Sequence, residues 1–186
     1  LGAGDVADQL FVLRAHELVA QSQPAKQSMR RSRDRTGPAP VCERPFDLRA
    51  TYRWAEPNAL DVVTTVQAKT NLANFESFLA SYFAETFTNS LAYVAELPGK
   101  PGVTGFLAAK SSFGTWLAFP RDDAAMAIFH DGRWTIAPSP VEWKPMPHLA
   151  KPLGIRRDPA TGLTAVLMSP AADAFAICTP EQTEGH

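Results

Sequence analysis

Cysteine is nearly absent from this chain: of 186 residues only Cys42 and Cys178 carry a thiol. Each stands alone among apolar and proline neighbours, which excludes a Cys-rich metal motif and a disulfide framework. Two buried thiols are expected, with one bridge between distant segments as the alternative. An excess of one charge is also missing. The 18 Lys and Arg nearly balance the 19 Asp and Glu, for a net charge of -1, so no global field draws in nucleic acid or an anionic membrane. No apolar run approaches the ~20 residues of a membrane span. The opening LGAGDVADQL starts on Leu and has neither a charged n-region nor an apolar h-region. The expectations are a soluble, mature or excised fragment with no nucleic-acid and no membrane partner. Neither compartment nor oligomeric state is fixed by these features.

Catalytic signatures are scarce too. The chain has no GxSxG, no HExxH and no Gly-rich phosphate loop. His16, His130, His148 and His186 form no pair at metal-ligand spacing, so no metal and no cofactor is expected. The neighbours His16-Glu17 and His130-Asp131 would point to opposite faces of a strand.

What the chain has is strand chemistry. Sixteen Pro and eleven Gly punctuate short runs of Val, Ile, Thr, Phe, Tyr and Trp, the pattern of an all-β domain. Expected strands are QLFVLRAHELVA, FDLRATYRW, LDVVTTVQAKT, FLASYF, LAYVA, GTWLAFPR, AMAIFHDGRWTI, LTAVLMSP and AFAICT. Asp131-Gly132 is expected to turn a hairpin, and Asp158, Pro159 and Gly162 to form a turn before a strand. FLASYF is ambiguous: with Phe75 its apolar residues match a helical period, yet the run is short enough for a strand buried on both faces. Residues 21–40 hold Lys26, Arg30, Arg31, Arg33 and Arg35 with Met29 as their one large apolar residue. They are expected to form a mobile basic loop within a single domain spanning residues 1–186.

Aromatic residues are the strongest functional signal. Trp54 in YRWAEPN and Trp143 in VEWKP have Arg53, Glu56, Glu142 and Lys144 as polar neighbours. A flat ring beside a charged group suits the apolar face and polar rim of a sugar. Ordinary packing between sheets is the competing explanation for any one Trp. Candidate ligand-binding residues are Trp54, Arg53, Tyr82, Trp143 and Lys144. Candidate acid-base residues, should the chain be an enzyme, are His130, His148, Glu76 and Glu142.

The unit LDVVTTVQAKTNLANFESFLASYF joins a Val/Thr-rich strand, an Asn-containing connector and a run ending in Tyr82-Phe83. It resembles the central hairpin of the galactose-mutarotase-like, or β-supersandwich, superfamily, and GLTAVLMSPAADAFAICTP is similar to a later strand pair of such domains. The resemblance covers residues 46–180. It implies an antiparallel β-sandwich of the galactose-mutarotase-like supersandwich type, incomplete at its C-terminus, with FLASYF as a buried strand. It also implies a carbohydrate partner. Mutarotases place a catalytic His just before the Tyr-Phe, whereas Ala80 and Ser81 stand there, and neither Glu142 nor Glu181 has the context of the family's general base. The expected function is therefore carbohydrate binding or processing without mutarotase catalysis. The alternatives are an epimerase, lyase or hydrolase-related enzyme using the His and Glu candidates, and a structural or protein-interaction module.

Overall fold

The computed structural model describes residues 10–21, 44–72, 75–77, 79–114, 116–135 and 140–180. Ten strands follow one another: β1 (Leu10–Gln21), β2 (Phe46–Glu56), β3 (Ala59–Ala68), β4 (Asn89–Val94), β5 (Gly105–Ala108), β6 (Trp116–Pro120), β7 (Trp143–Pro145), β8 (Leu149–Arg157), β9 (Thr164–Met168) and β10 (Ala176–Pro180). Among the described residues one α-helix, α1 (Asp123–His130), lies between β6 and β7. The strands form a seven-stranded sheet in the order β2-β3-β1-β9-β8-β4-β5 and a three-stranded sheet in the order β10-β6-β7. Most neighbours are antiparallel, but β1 runs parallel to both β3 and β9, and β6 runs parallel to β7. The all-β sandwich-like architecture expected from the turn chemistry is present.

The small sheet covers one end of the large one. Leu117 and Phe119 of β6, fully buried, pack with Ile177 of β10 against Ala92 and Val94 of β4 and Leu149 of β8. Ser90 of β4 and Thr179 of β10, both buried, join the sheets through a hydroxyl–hydroxyl hydrogen bond of 2.7 Å. The opposite face of the small sheet carries Trp116, which pairs in register with Trp143. There Phe129 of α1, Trp134, Trp143 and Phe175 form an aromatic cluster with ring centroids 5.8 to 6.3 Å apart.

Several local signals form as expected. The turn between β8 and β9 is held by Asp158, whose carboxylate accepts from the Ala160 amide at 2.8 Å and the Thr161 hydroxyl at 2.8 Å. Gly162 closes it with φ 74, a left-handed conformation that glycine adopts without a steric penalty. The strand expected at the N-terminal end forms as β1.

Two expected strands do not form. AMAIFHDGRWTI becomes helix α1 followed by a short 3-10 turn at Arg133–Thr135. Asp122 caps α1 by accepting from the Ala125 amide at 2.8 Å, Ala124, Ala125 and Ala127 favour helix, and Gly132 at φ 86 ends it instead of turning a hairpin. The described part of FLASYF, residues 79–83, is neither strand nor helix. It has no ladder partner and lies as irregular chain across a sheet face.

Strands β5, β7 and β8 were not expected. In β8, LAKPLGIRR, the Pro152 and Gly154 read as punctuation. Pro152 falls where the pairing with β4 shifts, between the Ala92–Gly154 and Val94–Leu149 partners, an irregularity of the kind that tolerates a residue without an amide proton, while Gly154 is paired in register with both β4 and β9. Residues 22–43, with most of the expected basic loop and Cys42, lie outside the described residues, as does His186.

Candidate functional site

Alternation fixes which side chains share a face. In the β2–β3 ladder Leu48 opposes Val66, Tyr52 opposes Val62 and Trp54 opposes Leu60, so β2 directs Phe46, Leu48, Ala50, Tyr52 and Trp54 to one face and Asp47, Arg49, Thr51 and Arg53 to the other. The registers of β3 with β1 and of β1 with β9 carry this face to Ala165 and Leu167, and beyond them to the region the small sheet covers. Residues 79–83 cross this same face. Phe75 meets Phe46 edge-on at 5.0 Å, and Phe83 packs near Phe87 at 5.4 Å with the Arg156 guanidinium 6.0 Å from its ring centre.

Between this crossing segment and the sheet lies an open groove of about 260 Å³, lined by Tyr52, Leu60 and Val62 from the β2–β3 hairpin, Leu79 and Tyr82 from the crossing segment, and Leu167 from β9 among others. Its walls are mostly apolar. Among its described lining residues Tyr52, Tyr82 and Ser81 carry polar side-chain groups. Tyr52 is 62% exposed and Tyr82 85% exposed, so two aromatic rings stand open to solvent beside a concave apolar floor. Behind Phe83, Arg156 is buried and donates to the Phe87 carbonyl at 3.3 Å. Burial pushes its pKa below the usual guanidinium value.

The expected ligand-binding residues separate. Tyr82 lines the groove and Trp54, 63% exposed, shares its sheet face. Arg53 is on the opposite face, in an ion pair with Asp61 at 3.1 Å. Trp143 and Lys144 belong to the small sheet. Trp143 is not the open ring its polar neighbours suggested: its indole nitrogen is buried and its faces pack in the aromatic cluster. Glu142 and Lys144, which flank it, are the exposed residues there. Tyr52, a groove residue, is not among the expected ligand-binding residues. The strict alternation of FDLRATYRW is the signal that places it beside Trp54.

The acid-base candidates are likewise dispersed. Glu76 is ion-paired with Arg133, which also holds Asp131 at 2.6 Å. The hydrogen bond from Arg133 keeps the Asp131 carboxyl below the ordinary range, and that same bond raises Arg133 in turn. His148 approaches the fully exposed Asp123 at 3.4 Å. His130 ends α1 and Glu142 precedes β7, both exposed. Among the described residues no hydrogen bond or ion pair joins two of these four. Cys178 is a free thiol, which burial, assisted by the Glu76 charge, pushes up to about 12. The described residues contain no cluster of three or more His, Cys, Asp or Glu suited to a metal ion, and no helix among them is long and apolar enough to cross a membrane.

Neither a family model, nor a curated protein, nor a solved structure matches this chain.

Proposed function

We propose that the chain binds carbohydrate in the groove between the seven-stranded sheet and residues 79–83, as a recognition module without mutarotase catalysis. The observation that supports this reading is the pair of solvent-open tyrosines, Tyr52 and Tyr82, at the edge of an apolar floor. A sugar ring laid on such a surface buries its C–H face against the aromatic rings, while its hydroxyls meet the two phenols, the Ser81 hydroxyl and water. Trp54, next along the face from Tyr52, extends the platform for a second sugar unit. Among the described residues that line the groove there is no carboxylate and no imidazole. The paired acid and base that sugar-ring opening requires are therefore not among those residues.

The test is a glycan array followed by calorimetric titration of the hits. Tyr82→Ala is expected to weaken binding roughly five- to tenfold, the loss of one stacking contact of about 1 kcal/mol. Its circular dichroism spectrum should be unchanged because the ring is exposed. A clean negative on the array at high protein concentration removes this reading. Polarimetry is expected to show no acceleration of glucose or galactose anomer exchange, and acceleration above the spontaneous rate would overturn the non-catalytic part.

A further inference from the structure

β2 forms one edge of the seven-stranded sheet, and among the described residues no strand pairs with its outer side. It is eleven residues long, and all but Phe46 are exposed. A long open edge with apolar residues on one face is a template for pairing with another strand. Its sequence has a second property. Read outward from Ala50, FDLRATYRW is complementary to its own reverse: Phe46 mirrors Trp54, Asp47 mirrors Arg53, and Leu48 mirrors Tyr52. Just beyond, Arg44 mirrors Glu56.

We infer that β2 is the contact by which two copies of this chain associate, edge to edge and antiparallel, about a two-fold axis through Ala50. A two-fold axis perpendicular to a sheet keeps each face continuous across the junction, so directly opposed residues must come from the same face and the axis must pass through a residue. Three central registers satisfy that condition. Centring on Thr51 sets Arg49 against Arg53 of the second copy, which is repulsive. Centring on Arg49 leaves Asp47 opposite Thr51 and matches no charges. Centring on Ala50 sets Asp47 against Arg53 twice on the polar face, and Leu48 against Tyr52 twice on the apolar face. It alone satisfies both faces.

The existing ion pairs prepare this arrangement. Asp47 is held at 2.7 Å by Lys69 and Arg53 at 3.1 Å by Asp61, yet Asp47 and Arg53 remain 65% and 78% exposed. Both partners lie toward β3, leaving the outer side of each charge open. Across the junction the order becomes Asp61, Arg53, then Asp47 and Lys69 of the second copy, a row of alternating sign. On the apolar face, Leu48 and Tyr52, 55% and 62% exposed, each gain an apolar neighbour. Opposed cross-strand pairs of these types are the unit by which sheets are stabilised.

The experiment is light scattering coupled to size exclusion at about 100 µM, a concentration that populates dimers of micromolar affinity, on the wild-type chain and on two variants, Arg53→Glu and Asp47→Lys. The wild type is expected to be dimeric. Each variant replaces two attractions with two repulsions and should raise the dimer dissociation constant roughly tenfold to a hundredfold. An equimolar mixture of the two should dimerise again, because every opposed pair in the mixed dimer is then of opposite charge. A monomeric wild type, variants that dimerise as well as it does, or folded variants whose mixture stays monomeric would each overturn the inference. Should a variant fold poorly, Ala50→Cys in a Cys42→Ser background decides independently. Mild oxidation should cross-link it into a disulfide-linked dimer far faster than the matching Arg49→Cys chain, and equal rates would refute the register.

Discussion

The hydrogen bond between Ser90 and Thr179 ties the two sheets at a point where both residues are less than a tenth exposed. Ser90→Ala deletes one hydroxyl and with it the bond between the sheets. The cost is the net value of one intramolecular hydrogen bond, about 0.5–1.5 kcal/mol. Thr179→Val, which exchanges the hydroxyl for a methyl of similar volume, should cost a similar amount for the same reason. The double variant removes both polar groups together, so its loss should fall short of the sum of the single losses by about 1 kcal/mol. Urea unfolding followed by tryptophan fluorescence measures all four corners of the cycle, and each kcal/mol should appear as roughly 2–4 °C in melting temperature. Single losses that add to within ~0.3–0.5 kcal/mol in the double variant would refute a direct inter-sheet bond.

Cys178, in a Cys42→Ser chain, should resist thiol reagents at pH 8, with a native thiolate fraction roughly a thousandfold below that of a thiol near its ordinary pKa; rapid labelling without denaturant would contradict its burial. Because the folded thiol titrates at about 12, above its ordinary value of 9.0, the folded state holds a proton that the unfolded chain releases. Its contribution to stability is intact below pH 9 and is lost as pH rises from 9 toward 12, which alkaline melting curves will follow. At the acid end the signs reverse. Asp122, Asp131 and Asp158 are all held below 3.8, led by hydrogen bonds from Arg121, Arg133 and Thr161 respectively, so their contribution is present above pH 3.8 and fades as pH falls below it. Asp158→Asn should flatten that acid slope, and an unchanged slope would remove Asp158 from the account. Asp122→Ala should lower the melting temperature by roughly 2–4 °C and Asp122→Asn by less, the usual order for a helix cap.

Much of the framework was legible because local and global preferences agree there. β2 alternates cleanly from Phe46 to Trp54, and Asp158 with Gly162 announces the turn between β8 and β9. Legibility fails where the two levels diverge. The residues of α1 include Ile128 and Phe129 ahead of an Asp-Gly pair, which in sequence looks like half a hairpin. The Asp122 cap, the three alanines and the left-handed Gly132 favour the helix together, and none of them shows as a periodicity. Residues 79–83 misled differently. Their apolar density marks contact with a sheet, and the contact is real, but it is made across the face by irregular chain instead of along the ladder. Of the expected ligand-binding residues, Tyr82 lines the groove and Trp54 shares its face, while Trp143 has charged neighbours that are exposed as its own ring packs inward. Local polarity around a strand tryptophan describes the alternate face, not the ring's own.

The parallel seat of β1 bears on how the chain reaches its fold. Leu10 stands beside Thr164 and Val12 beside Ala59, so this early strand is the seam between the β2–β3 hairpin and the β8–β4–β5 ladder. Until β9 has been synthesised and brought back, the seam has one free side and the two halves have no strand in common. The chain must close its longest loop before the large sheet exists, an entropic requirement that places such topologies among the slow folders, in milliseconds to seconds. Nascent chains ending before Thr164 should accordingly remain protease-sensitive in β1 while the β2–β3 hairpin is already paired, and stalled-ribosome proteolysis reads that order directly.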